Sequence, residues 1–130
     1  MFWASIVFLV RDNGDCLILK RSSLRGAHRG KWGLAGGKAD PGEMPEDCAI
    51  RESFEETGFR ISEDELFFLS KTSSGKRDYY FFWTKVSGEP QIDNEHEEWE
   101  WVHWRDIRDR VEVPTHSRIF DAFELAQSQL

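Results

Sequence analysis

Cysteine is scarce in this chain: only Cys16 and Cys48 occur among 130 residues. Two thiols without CxxC spacing make neither a disulfide framework nor a zinc cage, so a reducing cytoplasm is the expected location. No apolar run approaches the roughly 20 residues that a membrane span needs. The first such run, 2-FWASIVFLV-10, has no basic flank and no small-residue cleavage site, so it reads as a buried strand rather than a secretory signal. Positive charge is outnumbered, with 17 Lys and Arg against 24 Asp and Glu and a net charge of −7. That balance argues against broad attachment to nucleic acid or to an anionic membrane surface. GxSxG, Walker and CxxC patterns are all missing, and His28, His96, His103 and His116 lie scattered without metal-ligand spacing. There is no internal repeat, low-complexity tract or linker, and residues 1–130 are expected to form one domain.

Aromatic residues, in contrast, are abundant. Six Trp, ten Phe and two Tyr supply ample apolar surface for a core. After the opening strand, 11-RDNGD-15 centres on Asn-Gly and leads into 16-CLILK-20, a hairpin signal. The segment 21-RSSLRGAHRGKWG-33 is aperiodic and locally basic, hence an exposed loop. The runs 65-ELFFLSKTS-73 and 78-DYYFFWTKV-86 flank the turn-like 74-SGKR-77 and predict a second hairpin. Beyond the breaker 88-GEP-90, an acidic stretch, 93-DNEHEEWE-100, reads as a solvated loop before the short strand 101-WVHW-104, and a helical turn starts near Asp106. A closing helix is expected over 115–130, capped by Thr115, with Ile119, Phe123 and Ala126 at helical spacing.

The most unusual stretch is 36-GGKADPGEMPEDCAIRESFEETGF-59, which crowds seven carboxylates, five of them glutamates, into an already acidic chain. Pro45 suits a first helical turn, Glu46 and Asp47 complement the positive dipole end, and Gly58 suits the position beyond the last turn, so Pro45 to Thr57 reads as one helix. At 100° per residue, Glu55 lies about 60° to one side of Glu52 and Glu56 about 40° to the other. The three acids therefore share a face, while Ile50, Phe54 and Thr57 fall on the side expected to be buried. Arg51 neutralises only part of the repulsion among them. Converging carboxylates without nearby Cys suit a hard divalent cation, Mg²⁺ or Mn²⁺, rather than Zn²⁺. A bare ExxEE is most often a solvated helix face; the residues around this one change that reading.

Gly37, Glu43, Arg51-Glu52, Glu55-Glu56 and Gly58, followed by apolar Phe59, resemble the signature of the Nudix hydrolases, with all seven fixed residues present across 23 positions. At roughly one in fifteen per position, coincidence would give such a match on the order of once in 10⁸ windows. The resemblance implies an α/β fold: an α/β/α sandwich with a mixed β-sheet and a loop-helix-loop signature. Two positions depart from the usual pattern. Ser53 followed by Phe54 stands where the family is aliphatic, and Ala35 stands where a Pro usually precedes the two glycines.

By the same resemblance, Glu52, Glu55 and Glu56 hold metal, Mg²⁺ with Mn²⁺ as a substitute, and the Gly36 carbonyl is an extra ligand. Glu95 is the further glutamate that family members bring from a later loop as ligand or base, chosen over Glu98 and Glu100 by its spacing to Trp101. Gly37, Glu43, Arg51 and Gly58 are expected to be structural, Glu43 and Arg51 tying the loop to the helix. Among the nearby cations, Lys38 and Arg21 are the expected contacts to a nucleotide substrate, while Arg25 and Arg29 read as surface charges. Trp32, Tyr79, Phe81 and Trp83 are expected mostly in the core.

The short chain and 30-GKW-32 resemble MutT-like enzymes, which implies Mg²⁺-dependent hydrolysis of a nucleoside diphosphate linked to another group, foremost a (d)NTP to NMP and pyrophosphate. ADP-ribose, nucleotide-sugar or dinucleoside polyphosphate hydrolysis is the alternative, as is a nucleotide-binding module without turnover. The partner is a small nucleotide-type molecule, with no membrane or stable nucleic-acid complex expected; the sequence is silent on oligomeric state.

Overall fold

Phe2–Val10 (β1) is apolar on both sides, and a strand of that kind belongs inside a sheet covered on both faces. The computed structural model, which describes residues 2–130, places it there. Asp15–Arg21 (β2), Trp32–Gly33 (β3) and Ala35–Lys38 (β4) follow, then the signature helix Pro45–Thr57 (α1) and the hairpin of Phe67–Ser74 (β5) and Arg77–Lys85 (β6). His96–His103 (β7), a 3-10 turn at Trp104–Asp106, Ile107–Arg110 (α2) and Ser117–Ser128 (α3) complete the described chain.

The sheet is mixed. β1 runs parallel to β6 along its whole length, from Phe2↔Arg77 to Val10↔Lys85. On its other edge it meets β2 only at Val10↔Cys16, and then β4 antiparallel over Ala4–Val7. β2 diverges at the hairpin to pair with β7 and β3, while β5 lies outside β6. Because side chains alternate along a strand, β1 feeds two cores. Phe8 and Val10 join Phe81, Trp83, Ile107, Ile119, Phe120 and Phe123 beneath α2 and α3. Val7 and Leu9 join Phe82, Ala35, Phe59 and Ala49 beneath α1. This is the α/β/α sandwich expected of the Nudix fold. None of its helices among the described residues is long and apolar enough to cross a membrane.

Both predicted hairpins form, as does α1 with its predicted ends. Gly58 closes that helix in the left-handed conformation at φ +77°, its N–H bonded to the Phe54 carbonyl. Three expectations need correction. The acidic stretch 93–100 is not all loop, since β7 begins at His96; the pairing edge offered by β2 outweighs the poor strand propensity of the glutamates. The cap of α3 is His116, whose Nδ1 accepts the Arg118 N–H, because the Thr115 hydroxyl is turned to the Val113 carbonyl instead. Finally, Phe54 is not buried. The residue is 42% exposed, and its ring lies under the Arg60 guanidinium at 4.5 Å. The buried stripe of α1 is shifted by one position to Ala49, Ser53 and Glu56, with Cys48 and Thr57 beside it. α1 rests on the flat surface of β1 and the Ala-Gly-Gly run of β4, where only small side chains fit beneath a helix.

Candidate active site

The site begins with two glycines on β4 and a helix laid against them. A Cβ on Gly36 would meet the Ser5 carbonyl oxygen at 2.3 Å, so any side chain there would push β4 off β1. A Cβ on Gly37 would lie 2.6 Å from Cδ of Glu52. The absent side chain at Gly37 is thus the seat of the Glu52 carboxylate. Cys48 Sγ reaches the Gly37 carbonyl at 3.4 Å, and Ser5 Oγ donates to the Pro45 carbonyl at 2.7 Å, fixing α1 on this edge.

Arg51 organises the acids. Its Nε and Nη2 donate to the two oxygens of Glu43, both at 2.9 Å, in a bidentate pair. Nη1 reaches Glu52 Oε1 at 2.9 Å and Glu55 Oε2 at 3.0 Å, and Nη2 also donates to the Lys38 carbonyl at 3.1 Å. Glu43 in turn accepts the Asp40 N–H, and the Trp3 indole donates to its carbonyl. These partners hold the Glu43 carboxyl below the usual carboxylate range, with the Arg51 hydrogen bonds the largest cause, and keep Arg51 charged. Through these contacts Arg51 and Glu43 join the loop after β4 to α1.

The three signature acids are not equivalent. Glu55 is half exposed, Glu52 is largely covered, and Glu56 is only 4% exposed. Glu56 Oε1 accepts the Gly36 N–H at 3.0 Å. Its carboxyl is pushed well above the usual range, first by burial, then by a hydrogen bond with Glu52 and by the charges of Glu52 and Asp93; the Gly36 N–H opposes the shift. Two carboxyls in hydrogen-bond contact need a shared proton or a cation between them. Among the described residues no three acidic, His or Cys side chains converge to hold an ion, and Arg51 bonds both Glu52 and Glu55. The donor set nevertheless fits a hard divalent cation: all donors are oxygens, one is deeply buried, and the excess negative charge calls for a counterion.

The remaining expected residues lie on other elements of the fold. Lys38 ends β4 with an exposed side chain that makes no ion pair among the described residues, and Arg21 ends β2 opposite His96. Glu95 is exposed in the turn before β7, its carbonyl accepting the Ser22 N–H at 2.9 Å. Of the aromatics, Phe81 and Trp83 are core, while Trp32 and Tyr79 are half-buried at its margin. Asp93 was missed. Its N–H donates to the Glu56 carbonyl at 3.3 Å and its Oδ1 lies 2.8 Å from His96 Nδ1. A DxxH pair in an acidic run carries no motif, so only the fold could single it out.

A profile of the NUDIX domain matches residues 2–123. A MutT-like protein of Streptomyces ambofaciens is 30% identical over 117 residues, covering 89% of this chain and 73% of that protein. The nucleoside triphosphatase NudI of an Enterobacter species is 42% identical over 53 residues, 41% of this chain and 38% of its own. A nudix hydrolase of Caenorhabditis elegans is 28% identical over 81% of this chain, and the match spans 29% of that relative's length. Among solved structures, a MutT protein from Methanosarcina mazei superposes with a TM-score of 0.80 at 25% identity, over 97% of this chain and 94% of that one. With the signature glutamates gathered on one helix against the glycine strand, these likenesses establish that the chain belongs to the Nudix hydrolase family and is MutT-like.

Proposed function

We propose that residues 1–130 act as a single catalytic domain that hydrolyses a nucleoside triphosphate, a (d)NTP foremost, to the monophosphate and pyrophosphate with Mg²⁺. The observation that carries this is the Glu52–Glu56 carboxyl pair seated against Gly36 and Gly37, an anionic, partly buried pair that a divalent cation would neutralise. Two relatives point the same way by name: the Enterobacter nucleoside triphosphatase, and a Bacillus subtilis 8-oxo-dGTP diphosphatase, 26% identical over 84 residues.

Glu52, Glu55 and Glu56 would hold the ion, with the Gly36 carbonyl beside them and Mn²⁺ as a substitute. When bound, such an ion polarises phosphoryl oxygens and acidifies water. The protein's own groups do the rest. Lys38 and Arg21 neutralise the phosphate oxygens, on which charge gathers in the transition state. Glu95, tethered only through its main chain and otherwise exposed, takes the proton of the attacking water. The water oxygen bonds to one of the two phosphorus atoms flanking the α–β bridging oxygen, the bond from that phosphorus to the bridging oxygen breaks, and monophosphate and pyrophosphate separate. Arg51 releases Glu55 to its role while keeping Glu43 and the 38–43 loop in place. Both thiols are free and buried, which suits a reducing cytoplasm.

The test is a Mg²⁺-dependent product assay by mass spectrometry with (d)NTPs, oxidised dGTP, ADP-ribose, sugar nucleotides and diadenosine polyphosphates. Monophosphate with pyrophosphate from a triphosphate is the expected result. Cleavage confined to another class would refute the triphosphate assignment and leave the hydrolase in place.

A further inference from the structure

The segment joining β6 to β7 is stitched onto the end of α1. The Gln91 N–H donates to the Thr57 carbonyl at 2.8 Å, and the Asp93 N–H follows one residue back, to Glu56. On its far side the Ser22 N–H closes on Glu95. Within this frame Asp93 meets the ring of His96 at 2.8 Å, with the His96 side chain 4% exposed and that of Asp93 21%. The frame sets Asp93 against the end of α1 that carries Glu56, its N–H on the Glu56 carbonyl and its carboxyl fixed by the His96 ring. Acids gathered at one end of a helix repel one another in the absence of a cation.

We infer that Asp93, held by His96, is an outer carboxylate of the metal site, accepting hydrogen bonds from the water shell of a divalent cation bound at Glu52 and Glu56. The inference rests on the metal reading proposed above. Mg²⁺ gives up its waters reluctantly and keeps several when protein-bound, and their protons need acceptors. With His96 engaging Oδ1, Oδ2 of Asp93 stays available to such a water. His96 is a positioning residue: it fixes the Asp93 rotamer and carries no contact to the reacting groups. Asp93 and Glu95 divide the turn between them. The first is clamped toward α1, while the second has an untethered side chain free to follow the substrate.

The experiment is Mn²⁺ titration of the full chain, read by the electron paramagnetic resonance of free Mn²⁺, beside thermal melts in EDTA. Asp93→Asn keeps the shape and the acceptor for His96 while removing the charge. It is expected to weaken Mn²⁺ binding by about 10–100-fold with the EDTA melting temperature little changed. His96→Gln should shift affinity in the same direction, and the double variant should be no weaker than Asp93→Asn, since the two act through one group. If His96→Gln fails to fold, Asp93→Asn decides alone. Parent-like affinity in Asp93→Asn overturns the inference, as does weakened binding accompanied by a collapse of the EDTA melt, which marks a structural staple. Absence of Mn²⁺ binding in the parent, unchanged by Glu52→Gln, would instead remove the metal reading itself.

Discussion

The two faces of the central sheet are covered in opposite ways. On one, α3 lays Ile119, Phe120 and Phe123 over β1, with the Phe8 and Phe123 rings stacked at 4.0 Å. On the other, α1 brings Cys48, Ala49, Ser53 and Glu56, small or polar residues with one buried carboxyl. The first contact stabilises, since fully burying one large apolar side chain contributes about 1.5–3 kcal/mol. The second opposes folding in places: Ser53 Oγ is buried without a partner, and a buried polar atom left unpaired costs about 1–3 kcal/mol. Both faces have an apolar core, but the helix contributes large apolar side chains on the α3 side and small or acidic ones on the α1 side. The close approach that α1 needs for its acids to reach β4 admits only small side chains, so the same geometry that builds the site weakens its packing.

That division can be broken from either side. On the α1 face, Glu52→Gln is expected to lower the Mg²⁺-dependent turnover by about 10²–10⁴-fold while the melting temperature in EDTA holds. Parent-like turnover in this variant would sink the assignment of Glu52. On the α3 face, Phe123→Ala is expected to cost about 3–5 kcal/mol in denaturant unfolding, yet kcat/KM measured well below the new transition should stay near the parent value.

Gly37→Ala probes the seam between strand and site. The new Cβ meets the mobile end of Glu52, so the carboxylate should give way rather than the sheet, raising the Mg²⁺ needed for half-maximal rate by about tenfold. Gly36→Ala meets main chain instead and should depress the melting temperature. Equal losses of stability in both would erase the distinction drawn here.

A smaller effect concerns pH. Glu56 is raised above the ordinary value of 4.5, so over the interval between the two values the metal-free native state retains a proton that the unfolded chain has lost. Its stability contribution therefore declines as pH rises through that interval. Glu56→Gln, which mimics the protonated form, should melt higher than the parent in EDTA, by a gap that widens to a few degrees as pH rises above the ordinary carboxylate range. Saturating Mg²⁺ should reverse the order. The smallest change expected is from Ser53→Ala, which removes the unpartnered hydroxyl: a gain of about 1 kcal/mol with turnover unaffected, measured by denaturant unfolding.

Much of this was legible in the residues. Pro45 and Gly58 mark the ends of α1 because proline and left-handed glycine have few other uses at those positions. Hairpins showed through Asn13-Gly14 and through the paired aromatic runs. The rotation of α1 was not legible. A helical wheel places Glu52, Glu55 and Glu56 relative to one another but does not say which residue faces the sheet, and Phe54 is the more apolar choice. The flat strand 35–38 decided against it.

What the sequence determined by itself is the chemistry: the residue types, their order on one helix, and the family to which that order belongs. Those depend on covalent spacing and the 100° step of the helix, which any local segment carries within it. Only the tertiary structure decided that Glu56 is buried while Glu55 is exposed, that Gly37 makes room for Glu52, and that Asp93 and His96 come to the end of α1. Burial and contact across the sheet depend on elements dozens of residues apart, and the side chains that meet there are set by how strands and helices pack.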